Sequence, residues 1–102
     1  MSDLQKYVDQ IAHDLTKGME DDDGNSIDAF AYLGDVLDIE YVVNKNGEYL
    51  GARILVAYGG PNIWINTRTG TVEGYWWSDR ATATYKDSMG LDDALSELWA
   101  CR

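Results

Sequence analysis

The densest run of side chains capable of chemistry is Glu20-Asp21-Asp22-Asp23-Gly24-Asn25-Ser26. Four carboxylates ahead of a glycine invite comparison with a calcium loop, in which a hard cation takes several oxygens around a sharp turn. The register excludes it. With Gly24 at the sixth loop position, Met19 falls first and Phe30 twelfth, where an acid and a bidentate glutamate are required. With Ile27 at the eighth, Gly24 falls fifth and Ala31 twelfth. The run reads instead as a loop whose acids favour the N-terminus of the helix that follows, through its dipole.

Other candidates for chemistry are isolated. His13 is the single histidine and Cys101 the single cysteine, and they lie far apart in sequence. Nucleophilic catalysis needs a base within reach of a serine or thiol, so neither residue is expected to react. Paired-carboxylate hydrolysis needs two acids held beside a cleft, whereas these acids fall on helix exteriors and in a loop. Gly59-Gly60-Pro61-Asn62 lacks the lysine and following helix of a phosphate loop and reads as a turn. No enzyme, cofactor or metal is expected.

Charge carries more information. The net charge is −10; residues 1–40 hold eleven acids against Lys6 and Lys17, while the remainder holds seven acids against six bases. Such a surface repels nucleic-acid backbones and anionic membranes and attracts basic protein surfaces. A solvated face that keeps a small protein in solution is the plainer reading of the same acids. A chain of 102 residues suits one domain. No apolar run approaches the ~20 residues of a membrane helix, and no signal-peptide pattern opens the chain. The expected compartment is the cytoplasm.

The elements that must position these residues follow from periodicity. Ser2 with Gln5 makes a capping-box pattern. Leu4, Tyr7, Val8, Ile11, Ala12 and Leu15 then recur at helical spacing up to Gly18. A second helix, capped by Asn25 or Ser26 with Asp28 early in it, is expected to run to about Leu37 and to bury Ile27, Phe30, Leu33 and Leu37. Asp28 and Asp35 then share a face ~10 Å apart, a negative ridge that Asp38 and Glu40 continue.

From Tyr41 to Trp77 the chain alternates in short runs and predicts a four-stranded antiparallel meander. Asn46-Gly47 predicts a two-residue turn with Lys45 against Glu48. That register pairs Val43 with Leu50, Tyr41 with Ala52, Ile39 with Ile54 and Glu40 with Arg53, with Val56 and Tyr58 extending the apolar face. In the second hairpin, an even loop around Arg68-Thr69 places Val72 and Trp76 beside Ile63 and Ile65. A glycine bulge would instead bring in Tyr75 and Trp77 and set Glu73 opposite Ile65, so the even loop is preferred. It turns Trp64 and Trp77 outward. Ser78–Tyr85 reads as a fifth, edge strand or an extended link. A last helix from Ser88 or Met89 to about Ala100 carries Leu91, Leu95, Leu98 and Trp99 on one stripe. The fold class is α+β, with two N-terminal helices, the meander and a C-terminal helix, at least one helix covering Ile39, Tyr41, Val43, Ile54 and Val56.

Outward aromatics on a sheet can stack single-stranded nucleic acid, but that use needs a basic track this chain lacks. Two functions remain, of different classes. The acids Asp21, Asp22, Asp23, Asp28, Asp35 and Asp38, with Trp64 and Trp77 as apolar anchors, would dock on a basic nucleic-acid-binding protein, carboxylates standing in for phosphates. Alternatively, the aromatic sheet face pairs with a partner or with a second copy in a homodimer.

The run Leu50–Gly70, through Tyr58-Gly59-Gly60-Pro61-Asn62-Ile63-Trp64, continues as Val72-Glu73-Gly74-Tyr75-Trp76-Trp77. With Asp35–Tyr41 before it and Leu98-Trp99-Ala100-Cys101-Arg102 after it, this text resembles a group of small acidic proteins carried by phages and conjugative elements of Gram-positive gut bacteria. The resemblance spans about two-thirds of the chain and brings no motif of known mechanism. It implies a counter-defence setting, that of anti-CRISPR and anti-restriction proteins. The partner it implies is a CRISPR effector nuclease with a basic DNA channel, met in the host cytoplasm.

Overall fold

Gly74 and Ala81 are cross-strand partners on the two outermost strands at one edge of a sheet, and their small size makes the bed on which the first helix lies. The computed structural model describes residues 3–102. Its order is α1 (Asp3–Lys17), α2 (Ala29–Asp35), β1 (Asp38–Val43), β2 (Tyr49–Ala57), β3 (Asn62–Asn66), β4 (Thr71–Trp76), β5 (Asp79–Thr84) and α3 (Leu91–Ala100). The sheet is antiparallel throughout, in the order β1-β2-β3-β4-β5. The architecture is thus α+β with three helices and five strands; the expected four-stranded meander gains Asp79–Thr84 as a true edge strand. Its Ala81 and Ala83 pack inward under α1, which is why so polar a segment stays in the sheet.

α1 buries Leu4, Val8, Ala12 and Leu15 and stops at Gly18, whose φ of +92° suits the left-handed end of a helix. Tyr7, expected on the buried stripe, is 52% exposed. The expected Ser2 cap lies outside the described residues. Ser88 closes the other end of α1, its hydroxyl donating to the carbonyls of Leu15 (2.8 Å) and Thr16 (2.6 Å).

α2 differs from expectation by a shift of phase. Asp28, rather than Asn25 or Ser26, is the cap, its Oδ1 accepting from the Ala31 N–H at 2.8 Å. The helix ends at Asp35, short of Leu37. Ala29 and Leu33 are buried, with Tyr32 and Val36 packed beside them, while Phe30 (47%) and Leu37 (60%) face solvent.

The first hairpin keeps its expected centre but not its turn. Ile39 faces Ile54, Glu40 faces Arg53 and Tyr41 faces Ala52. The closing pair is Asn44 with Glu48, not Lys45 with Glu48. Asn44 Oδ1 accepts from the N–H groups of Asn46 and Glu48 (3.0 Å each), and Gly47 takes φ +80°. That is a three-residue loop ending on a left-handed glycine. Left alone, it would displace the register by one. A bulge at Leu50 absorbs the extra residue, so Val43 pairs with Tyr49 rather than Leu50, and Val43 and Leu50 are both exposed. Tyr58 likewise leaves the apolar face and lies 76% exposed in the β2–β3 turn.

The second hairpin follows the even register: Asn66 pairs with Thr71 and Ile65 with Val72. α3 begins at Leu91 rather than at Ser88 or Met89. Gly90 holds φ +76°, and the Asp87 carboxylate reaches over it to accept from the N–H groups of Leu91 (2.7 Å) and Asp92 (3.0 Å). α3 lies on β2 and against α2, and Trp99 packs at a tilt against Tyr41, ring centroids 5.2 Å apart, while donating its indole N–H to the Gly47 carbonyl at 3.0 Å. The helices form one layer on the sheet face bearing Ile54, Ile65 and Val72, all at 0% exposure. The opposite face, with Arg53, Leu55, Trp64, Glu73 and Tyr75, carries no helix.

Candidate interaction surface

The acidic loop is a small ordered hairpin. Ile27 N–H donates to the Met19 carbonyl (2.8 Å), Glu20 bridges Ser26, and Asp21 N–H donates to the Asn25 carbonyl (2.8 Å). Asp21 Oδ1 accepts from the N–H groups of Asp23 and Asn25, both at 2.9 Å, an Asx turn that satisfies its own backbone. Asp21 is therefore a turn residue. Asp28 is a helix cap, and Asp38 Oδ1 accepts from the adjacent Ile39 N–H at 2.9 Å. Asp22, Asp23 and Asp35 are exposed, and their side chains hold no hydrogen bond or ion pair among the described residues. Of six expected contact carboxylates, three are committed to local backbone and three are unengaged.

The path of the chain strings these acids along the molecule. Thr16, near the end of α1, accepts from the Lys86 N–H (2.9 Å), and Tyr85 N–H donates to Gly70 (3.0 Å), so α1 ends beside the β3–β4 turn. Asp38 opens β1 opposite Leu55, at the end of the sheet where the β2–β3 turn lies. Between Thr16 and Asp38 the chain passes from one end of the sheet to the other, with Asp21, Asp22, Asp23, Asp28 and Asp35 along the way.

Charge divides by layer as unevenly as it divides along the chain, but with different acids on the negative side. Residues outside 38–84, which form the helical layer, hold thirteen acids against four bases; residues 38–84 hold five against four. The balances are −9 and −1. Asp87, Asp92, Asp93 and Glu97, which reading along the chain assigns to its near-neutral part, thus join the N-terminal acids. A tally by sequence segment hides this, because only the fold brings α3 beside α2. Among the described residues one ion pair forms, Arg53 with Glu40 at 3.5 Å, on the sheet. Among the described residues no lysine or arginine forms an ion pair with a carboxylate of the helical layer.

The two expected tryptophan anchors part company. Trp64 is half-buried on the open sheet face, with the Arg53 guanidinium 4.3 Å from its ring centroid. Trp77 is 95% exposed at the tip of the two-residue β4–β5 turn, with φ +56°. A bulky side chain in the left-handed region costs strain, and burial on this chain does not offset it. Tyr58, expected on the apolar face, and Tyr75, which the even register turns outward with Trp64, stand near it.

Tyrosines beneath the acids are held neutral. Burial, with Asp14 adding to it, pushes the Tyr32 phenol up to about 12. Burial also pushes up Tyr49, whose hydroxyl donates to Asp92 Oδ1 at 2.7 Å, and Tyr85, near Asp87. Among the described residues no three His, Cys, Asp or Glu side chains gather as a metal would need, Cys101 is a free exposed thiol, and no helix is long and apolar enough to cross a membrane. Compared with protein-family models, curated proteins and solved structures, the chain matches none.

Proposed function

We propose that this chain is a non-enzymatic counter-defence inhibitor, an anti-CRISPR protein of a phage or conjugative element. Its acidic helical layer would enter the basic DNA-binding groove of an RNA-guided nuclease in the host cytoplasm. The observation that carries the reading is the uneven charge: −9 on the helical layer, with no ion pair formed to its carboxylates among the described residues. Carboxylates spread from the acidic hairpin through α2 to β1 offer Arg and Lys side chains the kind of acceptors a phosphate row offers. Interface charge of this type sets encounter rate and selectivity, while an apolar anchor such as Trp77 supplies residence time.

Binding to candidate effector nucleases, with and without guide RNA, tests the proposal. Capture should be displaced by target DNA and should weaken steeply with salt. The triple variant Asp22→Asn, Asp23→Asn, Asp35→Asn should lose inhibition with its circular dichroism and melting unchanged. Full inhibition by that variant would remove the acidic surface from the mechanism.

The helix-free sheet face favours a second reading, a protein–protein interface. Trp64 and Arg53 lie at its centre and Thr71, Thr82 and Thr84 around them, which is the composition of a contact patch with a polar rim. This face is nearly neutral, so two copies of a −10 chain could meet there with least repulsion. Sedimentation at low and high salt separates the readings, since a sheet-face homodimer should persist at both.

A further inference from the structure

The two edges of the sheet are finished differently. On β5 the two-residue turn makes Trp76 and Asp79 the closing pair, so the backbone groups of Arg80, Thr82 and Thr84 point away from β4. That edge is covered: α1 lies over β5, and Gln5 Nε2 donates to the outward Thr82 carbonyl at 3.1 Å. On β1 the direction follows from β2. Ala52 donates its N–H to Thr67 Oγ1 (2.9 Å), and its carbonyl accepts from the Thr67 N–H (3.0 Å). Its neighbour Arg53 therefore turns its own backbone groups to Glu40, and by the same alternation Ile39, Tyr41 and Val43 point theirs outward. Among the described residues, β2 is the one element laid along β1.

Of the outward groups, the Ile39 N–H is taken by Asp38 Oδ1 at 2.9 Å. The Ile39 carbonyl and both backbone groups of Tyr41 and Val43 are left for another strand. The side chains around them differ by face. Asp38, Glu40 and Val42 lie on the open sheet face, and Ile39, Tyr41 and Val43 on the helical face. Asp38 and Glu40 are exposed, as are the apolar Leu37 and Val43 at the two ends of the strand. For a strand added antiparallel here, Glu40 falls in the non-hydrogen-bonded position, where facing side chains come closest. An opposite charge gains most there.

We infer that β1 accepts an extended segment of a partner protein as an added antiparallel strand, basic on its open-face side and apolar on its helical side. The basic side chains meet Asp38 and Glu40, and the apolar ones lie beside Tyr41 and Val43. Main-chain pairing supplies affinity in such additions, and alternate side chains supply selectivity. A second copy of this chain fits the edge poorly. β1 against β1 gathers Asp38 and Glu40 of both copies along one seam, and like charges across strands destabilise. β1 against the β5 of another copy needs the edge that α1 and Gln5 cover. The inference goes beyond docking of the helical layer on a nuclease and holds whether or not that docking occurs.

The test is titration of the full chain with a synthetic peptide of alternating arginine and valine, followed by amide resonances and hydrogen exchange. The Tyr41 and Val43 amides should shift saturably and exchange at least about tenfold more slowly, while those of Arg80 and Thr84 at the other edge stay unmoved. A control peptide N-methylated at alternate residues keeps every charge but loses the N–H groups that face β1. It should bind at least about tenfold more weakly. Val43→Pro removes an outward N–H and none of the β1–β2 ladder, and it should weaken the parent peptide likewise. So should Asp38→Asn combined with Glu40→Gln, with circular dichroism unchanged. Equal affinity for the methylated peptide would reduce the attraction to charge alone and overturn the assignment, and it is read on the parent chain whatever the variants do. Shifts centred on the β5 edge, or slow exchange at Tyr41 and Val43 in a peptide-free dimer seen by sedimentation, would overturn it too.

Discussion

A β-carbon placed on Gly74 would lie 2.6 Å from Cγ2 of Val8 and 2.8 Å from Cδ1 of Leu4. The absence of a side chain at that one strand position sets how closely α1 approaches the sheet. Both neighbours are themselves fully packed, Val8 at 0% and Leu4 at 1% exposure, so neither can swing away. Gly74→Ala should therefore destabilise by about 1–3 kcal/mol through overpacking, and Gly74→Val by more. Urea denaturation reads this as a lower midpoint with unchanged slope.

Acids that look alike in the sequence should separate by mutation. Asp22→Asn, Asp23→Asn and Asp35→Asn remove no partner and should each change stability by less than about 0.5 kcal/mol. Asp28→Ala removes the cap on Ala31 and should cost about 1 kcal/mol. Thermal melts of the four single variants check this, and they establish which substitutions are clean enough for binding work.

Asp87 supports α3 from outside the helix. Gly90 at the cap position has no side chain, so both oxygens of Asp87 serve the first turn in its place. Asp87→Ala should cost about 1–2 kcal/mol; Asp87→Asn, which keeps one acceptor, should cost less. Amide exchange at Leu91 and Asp92 should accelerate in both variants, most in the alanine.

Alkali should destabilise the fold through its buried tyrosines. In the unfolded chain Tyr32 ionises near its ordinary value of 10, whereas in the fold its phenol is pushed up to about 12. The neutral form is the one the fold prefers. Its contribution is fully present below pH 10 and is lost as the pH rises toward 12. Denaturant midpoints measured across that window should fall, and Tyr32→Phe should flatten the decline. An unchanged slope in Tyr32→Phe would assign the loss to Tyr49 and Tyr85.

Much of the sheet was legible before the fold was known, and the reasons are local. Glu40 opposite Arg53 and Ile39 opposite Ile54 satisfy both faces in a single register, and no slipped pairing does so. The turn departs from expectation because Asn-Gly signals a two-residue turn through its dihedral preference alone. Asn44, two residues earlier, collects the N–H groups of Asn46 and Glu48 and lengthens the loop, and the Leu50 bulge restores what that displaces. α2 slipped by a different route. Asn25, Ser26 and Asp28 are all good caps, and packing of Ala29, Tyr32 and Leu33 chose among them, which no local preference reveals. The acidic surface was visible as composition; its extension onto α3 was not, because that depends on which helices the sheet brings together.

The split between a −9 helical layer and a −1 sheet makes the molecule an electrical arrow. In the field of a cationic groove it is turned before it arrives, so a larger share of collisions begins helices-first. Ions in the medium would blunt that alignment at long range while leaving the touching surfaces as they are. Any effect of the asymmetry should thus be written first in how fast complexes form, and only second in how long they last.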